Sequence, residues 1–197
     1  MKKRVNKSKL NIKQQFKESL SYIKESSGYI YLAILIFIIS GIFGFVNASN
    51  LTFIDNLLKE IISQTTNLNA LELIFFILQN NLLSALISLA GGIFLGIFPI
   101  FNAMTNGVII GYVMSRSYSV AGLGILWRLV PHGIFELPAI FISLGLGMKL
   151  GFSIVLKNRS KEFARRFYSS ANAFLMVVIP LLIIAAIIEG FLIAFIK

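Results

Sequence analysis

Two ionisable side chains, His132 and Glu136, combine residue types and a spacing that could support chemistry. His132 is the only histidine in the chain, and both residues lie within residues 131–140 of an otherwise apolar run. Residues four apart share one face of a helix. Because ionisable groups are costly in hydrocarbon, they normally face a protein interior or a water-filled cavity. The pair therefore predicts a buried polar core.

Three functions of that core stay open from the sequence. Glu189, Asn80 and Asn106 lie in other apolar segments and could complete a hydrogen-bonded knot that holds helices in register. The same groups could form a proton- or ion-linked pathway. A catalytic centre is the third alternative, but the sequence offers neither a second histidine for a zinc site nor a G-x-S-x-G motif. We therefore predict no catalytic, cofactor-binding or metal-binding residues.

The composition places these residues in a membrane protein. Of 197 residues, 57% are hydrophobic and 13% are charged, and the mean hydropathy is +0.84. A soluble domain of this size could not bury that much apolar surface. The net charge of +10 does not indicate nucleic-acid binding, because the basic residues gather beside apolar segments as the positive-inside rule predicts. There is no cysteine, so disulfides and thiolate chemistry are excluded.

Residues 1–28 form a basic arm that precedes the membrane domain of residues 29–197. The arm carries eight of the eighteen lysines and arginines. Its apolar residues recur at the helical period, at Ile12, Phe16, Leu20 and Ile23. This pattern is typical of a helix on an anionic membrane surface, but a solvated arm that merely sets topology is an equal alternative.

The membrane domain is predicted to be an all-α bundle of about five transmembrane helices with one amphipathic helix. The expected spans are residues 29–46, 73–99, 101–114, 123–156 and 173–196. Residues 123–130 could be a separate re-entrant segment before Pro131. The amphipathic helix covers residues 51–68, opens with a capping box of Thr52 and Asp55, and is expected to pack on the bundle.

Charge bias sets the expected orientation of this multi-pass protein in the cell membrane. The arm and a basic loop at residues 157–168 hold most of the cations. Both should therefore be cytoplasmic, which with five spans puts the amino terminus inside and the carboxyl terminus outside.

Glycine pairs with GxxxG spacing predict close helix packing in three successive spans. The pairs are Gly92 with Gly96, Gly107 with Gly111, and Gly147 with Gly151. Residues 83–96 also resemble residues 137–151 with one inserted residue. That similarity suggests a parallel internal repeat, an arrangement that some transporters use. The glycines indicate a compact bundle and carry no functional signal of their own.

The polar stretch resembles the stage II sporulation protein M family of integral membrane proteins. The specific block is Pro131, His132, Gly133, Glu136, Leu137 and Pro138. Similarity extends over nearly the whole chain from about residue 16, including Tyr22-Ile23-Lys24, Asn80-Asn81, Asn106-Gly107, the later glycines of the fourth span and Ala186-x-x-Glu189. The resemblance implies five spans and no catalytic activity. In spore formers it implies a scaffold that holds the peptidoglycan-degrading stage II sporulation proteins D and P at the engulfing membrane.

We therefore predict a non-catalytic scaffold within a membrane or cell-envelope complex. The expected partners are the lipid bilayer and other membrane or envelope proteins, and a homo-oligomer is a further expectation. The alternative function is a small permease or channel component that uses the polar core of His132 and Glu136.

Overall fold

The computed structural model describes residues 11–122, 130–156 and 158–195, which contain helices and turns but no strand. Eight α-helices follow one another along this part of the chain. They are α1 Ile12–Glu25, α2 Ser27–Val46, α3 Phe53–Thr65, α4 Ala70–Gly91, α5 Ile97–Ala121, α6 Val130–Gly151, α7 Arg159–Ala173 and α8 Ile179–Phe195. Short 3-10 helices cover Ala48–Asn50 and Phe152–Val155, and a π-helix over Phe174–Val178 joins α7 to α8.

Five helical segments are long and apolar enough to cross a membrane. They are Ser27–Val46, Ala70–Gly91, Ile97–Val120, Gly133–Val155 and Arg159–Leu192. The predicted fold class, an all-α membrane bundle of about five spans, is therefore confirmed. The expected re-entrant segment at residues 123–130 falls almost entirely on residues 123–129, outside the described residues.

The second span ends earlier than the sequence indicated. We expected it to continue to Pro99, but α4 ends at Gly91 and a turn follows. Leu95 and Gly96 both have positive φ in this turn, 55° and 74°. Glycine adopts that conformation without a Cβ penalty. Pro99 lies in the first turn of α5, where its missing N–H costs no helical hydrogen bond.

The basic segment at residues 157–168 is mostly helical, contrary to our expectation of a loop. Helix α7 begins at Arg159 and its buried face carries Arg166, Ser170 and Ala173. Two of these three side chains are polar, so apolar spacing does not mark the buried face, although Phe163 and Phe167 stack at helical spacing beside it. The last membrane segment is consequently a long helix with a polar first half.

Two pairs of parallel helices form the centre of the bundle. Helix α2 lies along α5, with Gly41 against Gly111 and Gly44 against Val108. Helix α4 lies along α6, with Gly92 against Gly147. Ser143 of α6 donates a hydrogen bond to the carbonyl of Ala85 in α4, at 2.6 Å. The two segments of the suggested repeat therefore pack side by side and run in the same direction.

Helix α1 and the beginning of α7 lie at one end of the bundle, which we call the arm end. The turn between α4 and α5 is at the same end, because Gly96 faces Met148 and Tyr29 stacks on Phe152. Helix α3 lies at the opposite end, the α3 end, where its Ile54 is buried against Ala48 and Tyr112.

The predicted capping box at Thr52 is wrong. Thr52 makes no side-chain capping bond, because its backbone is already helical (φ −61°, ψ −18°) and not extended as in a capping residue. The carboxylate of Asp55 accepts from Tyr112. The capping box is formed at α4, where Asn69 caps the backbone of Glu72 and the Glu72 carboxylate accepts from the Asn69 N–H.

Candidate functional site

The family signature lies in the first half of α6. Glu136 and Leu137 are partly buried there, and Pro138 is exposed within the helix. Gly133 faces Leu137: a Cβ added at Gly133 would lie 3.4 Å from Cδ1 of Leu137. The side chains of Pro131 and His132 lie outside the described residues, so the predicted coupling of His132 with Glu136 stays a prediction.

The remaining predicted core residues are spread over three helices. Glu189 is partly buried in α8 beside Gly190, which packs on Ile74 of α4. Asn106 of α5 donates to the side chain of Asn102, and Asn102 donates to Ser84 of α4 at 3.1 Å. These bonds join α5 to α4. Asn80 is exposed on α4 and takes no part in this network.

The predicted packing glycines all lie at helix contacts. Their neighbours on other helices could not be predicted from the GxxxG spacing. Side chains at Gly92 and Gly147 would each collide with the backbone of the other helix. Gly151 faces Gly92 and Gly96, although Gly96 belongs to the turn and not to a helical face. Gly107 and Gly111 pack on α2. Their partners Gly41 and Gly44 went unnoticed, because they are three residues apart and lack GxxxG spacing.

A buried lysine at the arm end is a site that our sequence reasoning missed. Lys149, near the end of α6, has a side chain that is only 3% exposed. Its ammonium donates to the Glu25 carboxylate and to the Ser26 hydroxyl, each at 3.0 Å. It also lies 4.1 Å from the ring centroid of Tyr22, within the range of a cation–π interaction. Helix α1 thus supplies the counter-charge for a lysine of a membrane-spanning helix.

Helix α7 completes this cluster, which we call the arm latch: Tyr22, Glu25, Ser26, Lys149, Arg165 and Arg166. The buried Arg166 donates to the carbonyl of Lys149, and Arg165 donates to Glu25 at 3.3 Å. The Tyr22 hydroxyl donates to the carbonyl of Arg166 at 3.4 Å. Helix α1 is therefore bound to both α6 and α7 by polar contacts.

Further along α1, the side chain of Asn172 extends the contact with α7. Its amide donates to the Ser19 hydroxyl at 3.1 Å and to the Gln15 carbonyl at 3.4 Å. The face of α1 that meets the bundle is therefore mostly polar, with Ser19, Tyr22 and Ser26 buried. The apolar residues Ile12, Phe16 and Leu20 remain exposed on an adjacent face.

The latch shifts the titration of its residues on α1. The hydrogen bond from Lys149 lowers the pKa of Glu25 below its ordinary value of 4.5, and the bond from Arg165 adds to this, while partial burial opposes it. Burial raises the pKa of the Tyr22 phenol above 10.0. Glu25 is therefore an anion and Tyr22 is neutral at physiological pH, as the hydrogen bonds require.

A second, smaller polar cluster holds α3 at the opposite end. The buried Tyr112 of α5 donates its hydroxyl proton to Asp55 at 2.5 Å. Arg116 donates to the Tyr112 oxygen at 3.0 Å and approaches the Asp55 carboxylate at 3.6 Å. Asp55 and Arg116 were each visible in the sequence, but nothing in their spacing pairs them.

Comparison with known proteins agrees with this architecture. The chain is 31% identical to uncharacterized protein MJ0793 of Methanocaldococcus jannaschii over 169 residues, which cover 83% of this chain and 92% of that protein. It is 29% identical over 131 residues to uncharacterized protein MJ0706 of the same organism, covering 64% of this chain and 58% of that relative. No solved structure matches the chain. Residues 33–192 match the stage II sporulation protein M family, and the chain belongs to that family of membrane proteins.

Proposed function

We propose that this chain is a non-catalytic scaffold that holds other membrane or envelope proteins in place. The observation that carries the proposal is the attachment of an amphipathic helix at each end of a tightly packed bundle. Helix α1 is bound through Lys149 and Arg166, and helix α3 through Tyr112. A protein of this kind presents fixed surfaces on both sides of a membrane. Its membership of the stage II sporulation protein M family supports the same function.

We further propose that the arm end faces the cytoplasm. Arg159, Lys161 and Arg165 of α7 lie at this end, together with Lys13 and Lys17 of α1. Cationic segments next to spans are retained on the cytoplasmic side. With five spans, α8 then ends outside. A reporter that is active only in the cytoplasm, fused after Lys197, should be inactive. Strong activity, with the amino terminus also inside, would contradict this orientation.

The rival function is a permease or channel component, and the packing of the helices favours the scaffold. The α2–α5 and α4–α6 pairs are in backbone contact at Gly111 and Gly147, which leaves no passage along either seam. The amides of Asn102 and Asn106 are bonded to each other and to Ser84. Such groups lock helices together, whereas a conducting path needs polar groups that face water.

Two measurements test the scaffold against its rival. The tagged chain, purified from its native host in mild detergent, should retain membrane or envelope proteins in a fixed ratio. Gly147→Leu, which forces α4 and α6 apart, should lose them, while Gly28→Leu should not, because nothing lies within 4 Å of a Cβ at Gly28. In proteoliposomes the wild type should carry no flux. Flux that Glu136→Gln abolishes and Glu60→Gln leaves intact would establish the permease instead.

A further inference from the structure

The outward faces of the spanning helices differ in polarity. From Tyr31 to Val46, every exposed residue of α2 is aromatic or aliphatic. The exposed residues of α8 whose side chains are described are Pro180, Ile183, Ile184, Ile187 and Phe191. These surfaces are typical of contact with lipid tails. Helix α4 differs, because its exposed face carries the amides of Gln79 and Asn80.

The two amides are near the middle of their span. Gln79 is nine residues after Ala70 and twelve before Gly91, which at the rise of an α-helix is about 14 Å and 18 Å. Among the described residues neither Gln79 nor Asn80 makes a side-chain hydrogen bond. Exposed Thr105 on α5 does not share this problem, because its hydroxyl donates to the Phe101 carbonyl at 2.9 Å. Amides without partners are strongly disfavoured in hydrocarbon, so lipid tails are poor neighbours for this part of α4.

We propose that this face of α4 binds the same face of a second copy of the chain. Two copies inserted in the same direction are related by a two-fold axis along the membrane normal. Each residue near that axis then meets its own counterpart at the same depth. An amide both donates and accepts, so Gln79 and Asn80 can be satisfied by Gln79 and Asn80 of the second copy. A second copy therefore brings hydrogen-bonding amides to the same depth in the membrane as Gln79 and Asn80.

The residues around the amides form a seam that suits such a pair. Phe75, Gln79, Leu83, Leu86 and Ala90 are all exposed and follow one another at intervals of three or four. This spacing is the one by which two helices interlock side chains along a left-handed crossing. A polar residue within an apolar seam fixes register, since any slip would leave it without a partner. Gln79 occupies that position, so the seam specifies one alignment.

The self-association proposed here does not depend on the scaffold function. If the chain is a scaffold but does not dimerise, a helix of a different protein would contact α4. If the chain dimerises but retains no other protein, the scaffold proposal would be unsupported. The experiment therefore reports on chain-to-chain contact directly.

Disulfide cross-linking in native membranes is the appropriate test, because the chain has no cysteine of its own. Single cysteines at Phe75, Leu83 and Leu86, which leave both amides in place, should give a cross-linked dimer under mild oxidation. The matched controls are Ile39→Cys on α2 and Ile184→Cys on α8, which are 59% and 43% exposed. Equal cross-linking on all three helices, none on α4, or capture of a different protein at these positions would overturn the proposal.

The contribution of the amides is measured in the Leu83→Cys background. Adding Gln79→Leu and Asn80→Leu removes the interhelical hydrogen bonds, and the dimer yield should fall about fivefold or more. Thermal melting of the detergent-solubilised monomer should be unchanged or higher, because neither amide bonds within the described part of the chain. An unchanged dimer yield would show that the amides do not hold the pair. A lower melting temperature of the monomer would give them a structural role within one chain and overturn the assignment.

Discussion

The two amphipathic helices, α1 and α3, each contribute one carboxylate to their contact with the bundle, but the carboxylates meet different partners. Glu25 of α1 pairs with Lys149, whose side chain is 3% exposed. Asp55 of α3 accepts from the neutral phenol of Tyr112, and its cationic neighbour Arg116 is 48% exposed. One helix covers a buried charge, and the other satisfies a buried hydroxyl.

This difference decides what each end of the bundle loses when its carboxylate is removed and the helix stays in place. Without Glu25 the Lys149 ammonium would remain covered by α1 but would have no counter-ion there, and an uncompensated buried charge is strongly unfavourable. Without Asp55 the Tyr112 hydroxyl keeps its bond from Arg116, and Arg116 itself remains in contact with solvent. Helix α1 is therefore an integral part of the bundle, whereas α3 is bound with less consequence.

Both amphipathic helices depend on the bundle between them, so a change that disrupts the bundle should cause the largest loss of stability. Gly147→Leu places a bulky side chain against the backbone of Ser88 and Leu89. We expect destabilisation of about 3 kcal/mol or more and loss of attachment of both α1 and α3. Thermal melting in detergent measures it, with Gly28→Leu as the control. Equal melting of the two variants would show that the α4–α6 contact is not as close as described.

Removing the carboxylate of the arm latch should have the next largest effect. Glu25→Ala leaves Lys149 without its counter-ion, and we expect a loss of about 2 kcal/mol, reduced from the usual cost because Glu25 is half-exposed. The same change at exposed Glu18 should be nearly silent, since within the described part of the chain Glu18 bonds only to Gln14 of the same helix.

A double variant distinguishes the cost of an uncompensated Lys149 charge from the loss of the Glu25 contact itself. Lys149→Met combined with Glu25→Ala removes the buried charge along with its partner, so its stability should exceed that of Glu25→Ala alone. If the two changes were simply additive in melting experiments, Glu25 and Lys149 would not share an interaction.

Acid should weaken the same end selectively. The pKa of Glu25 is lower when α1 is bound, so this contribution is fully present above the ordinary value of 4.5 and is lost as pH falls through the bound-state value. A spin label at Lys13→Cys should become more mobile below pH 4.5, while one at Lys59→Cys on α3 reports the other end. Because Glu162 is a second carboxylate paired with Arg165, Glu25→Gln is the necessary control. A mobility change of equal size in Glu25→Gln would assign the transition to another group.

The smallest effect is expected at α3. Asp55→Ala removes the acceptor of the Tyr112 hydroxyl at a cost of about 1 kcal/mol, because Asp55 is 40% exposed and water can take the place of its carboxylate as acceptor. Ile54 should keep α3 on the bundle through its buried contact with Ala48. Proteolysis of the 51–68 region should accelerate only slightly. A loss as large as that of Glu25→Ala would remove the distinction between the two ends.

The number and type of the membrane helices could be predicted from the length and hydropathy of the apolar runs, because an apolar run long enough to cross a bilayer is nearly always a helix. The boundaries could not. The end of α4 depends on a turn in which Leu95 takes positive φ beside Gly96, and the start of α7 on a buried face made of arginine and serine. In both cases tertiary contacts decide where the helix begins or ends, and the helical spacing of Phe163 and Phe167 in α7 does not mark that boundary.

The polar residues show the same limit. Glu136 and Glu189 attracted notice because they interrupt apolar sequence, yet the arm latch depends on Lys149, which interrupts it just as clearly. Its partner Glu25 is 124 residues away, in the segment that the sequence indicated as a basic arm. Sequence spacing identifies neighbours within one helix, but it cannot pair residues on different helices.

That separation has a consequence for biosynthesis. When Glu25 is added to the growing chain, its buried partner is still 124 residues from being made, which at usual rates of translation is a delay of roughly 6 to 25 s. During this interval α1 must adopt another conformation or make another contact. The fourth span then brings Lys149 to an acid that is already present, so the nascent chain supplies its own counter-ion to the last charged residue of that span.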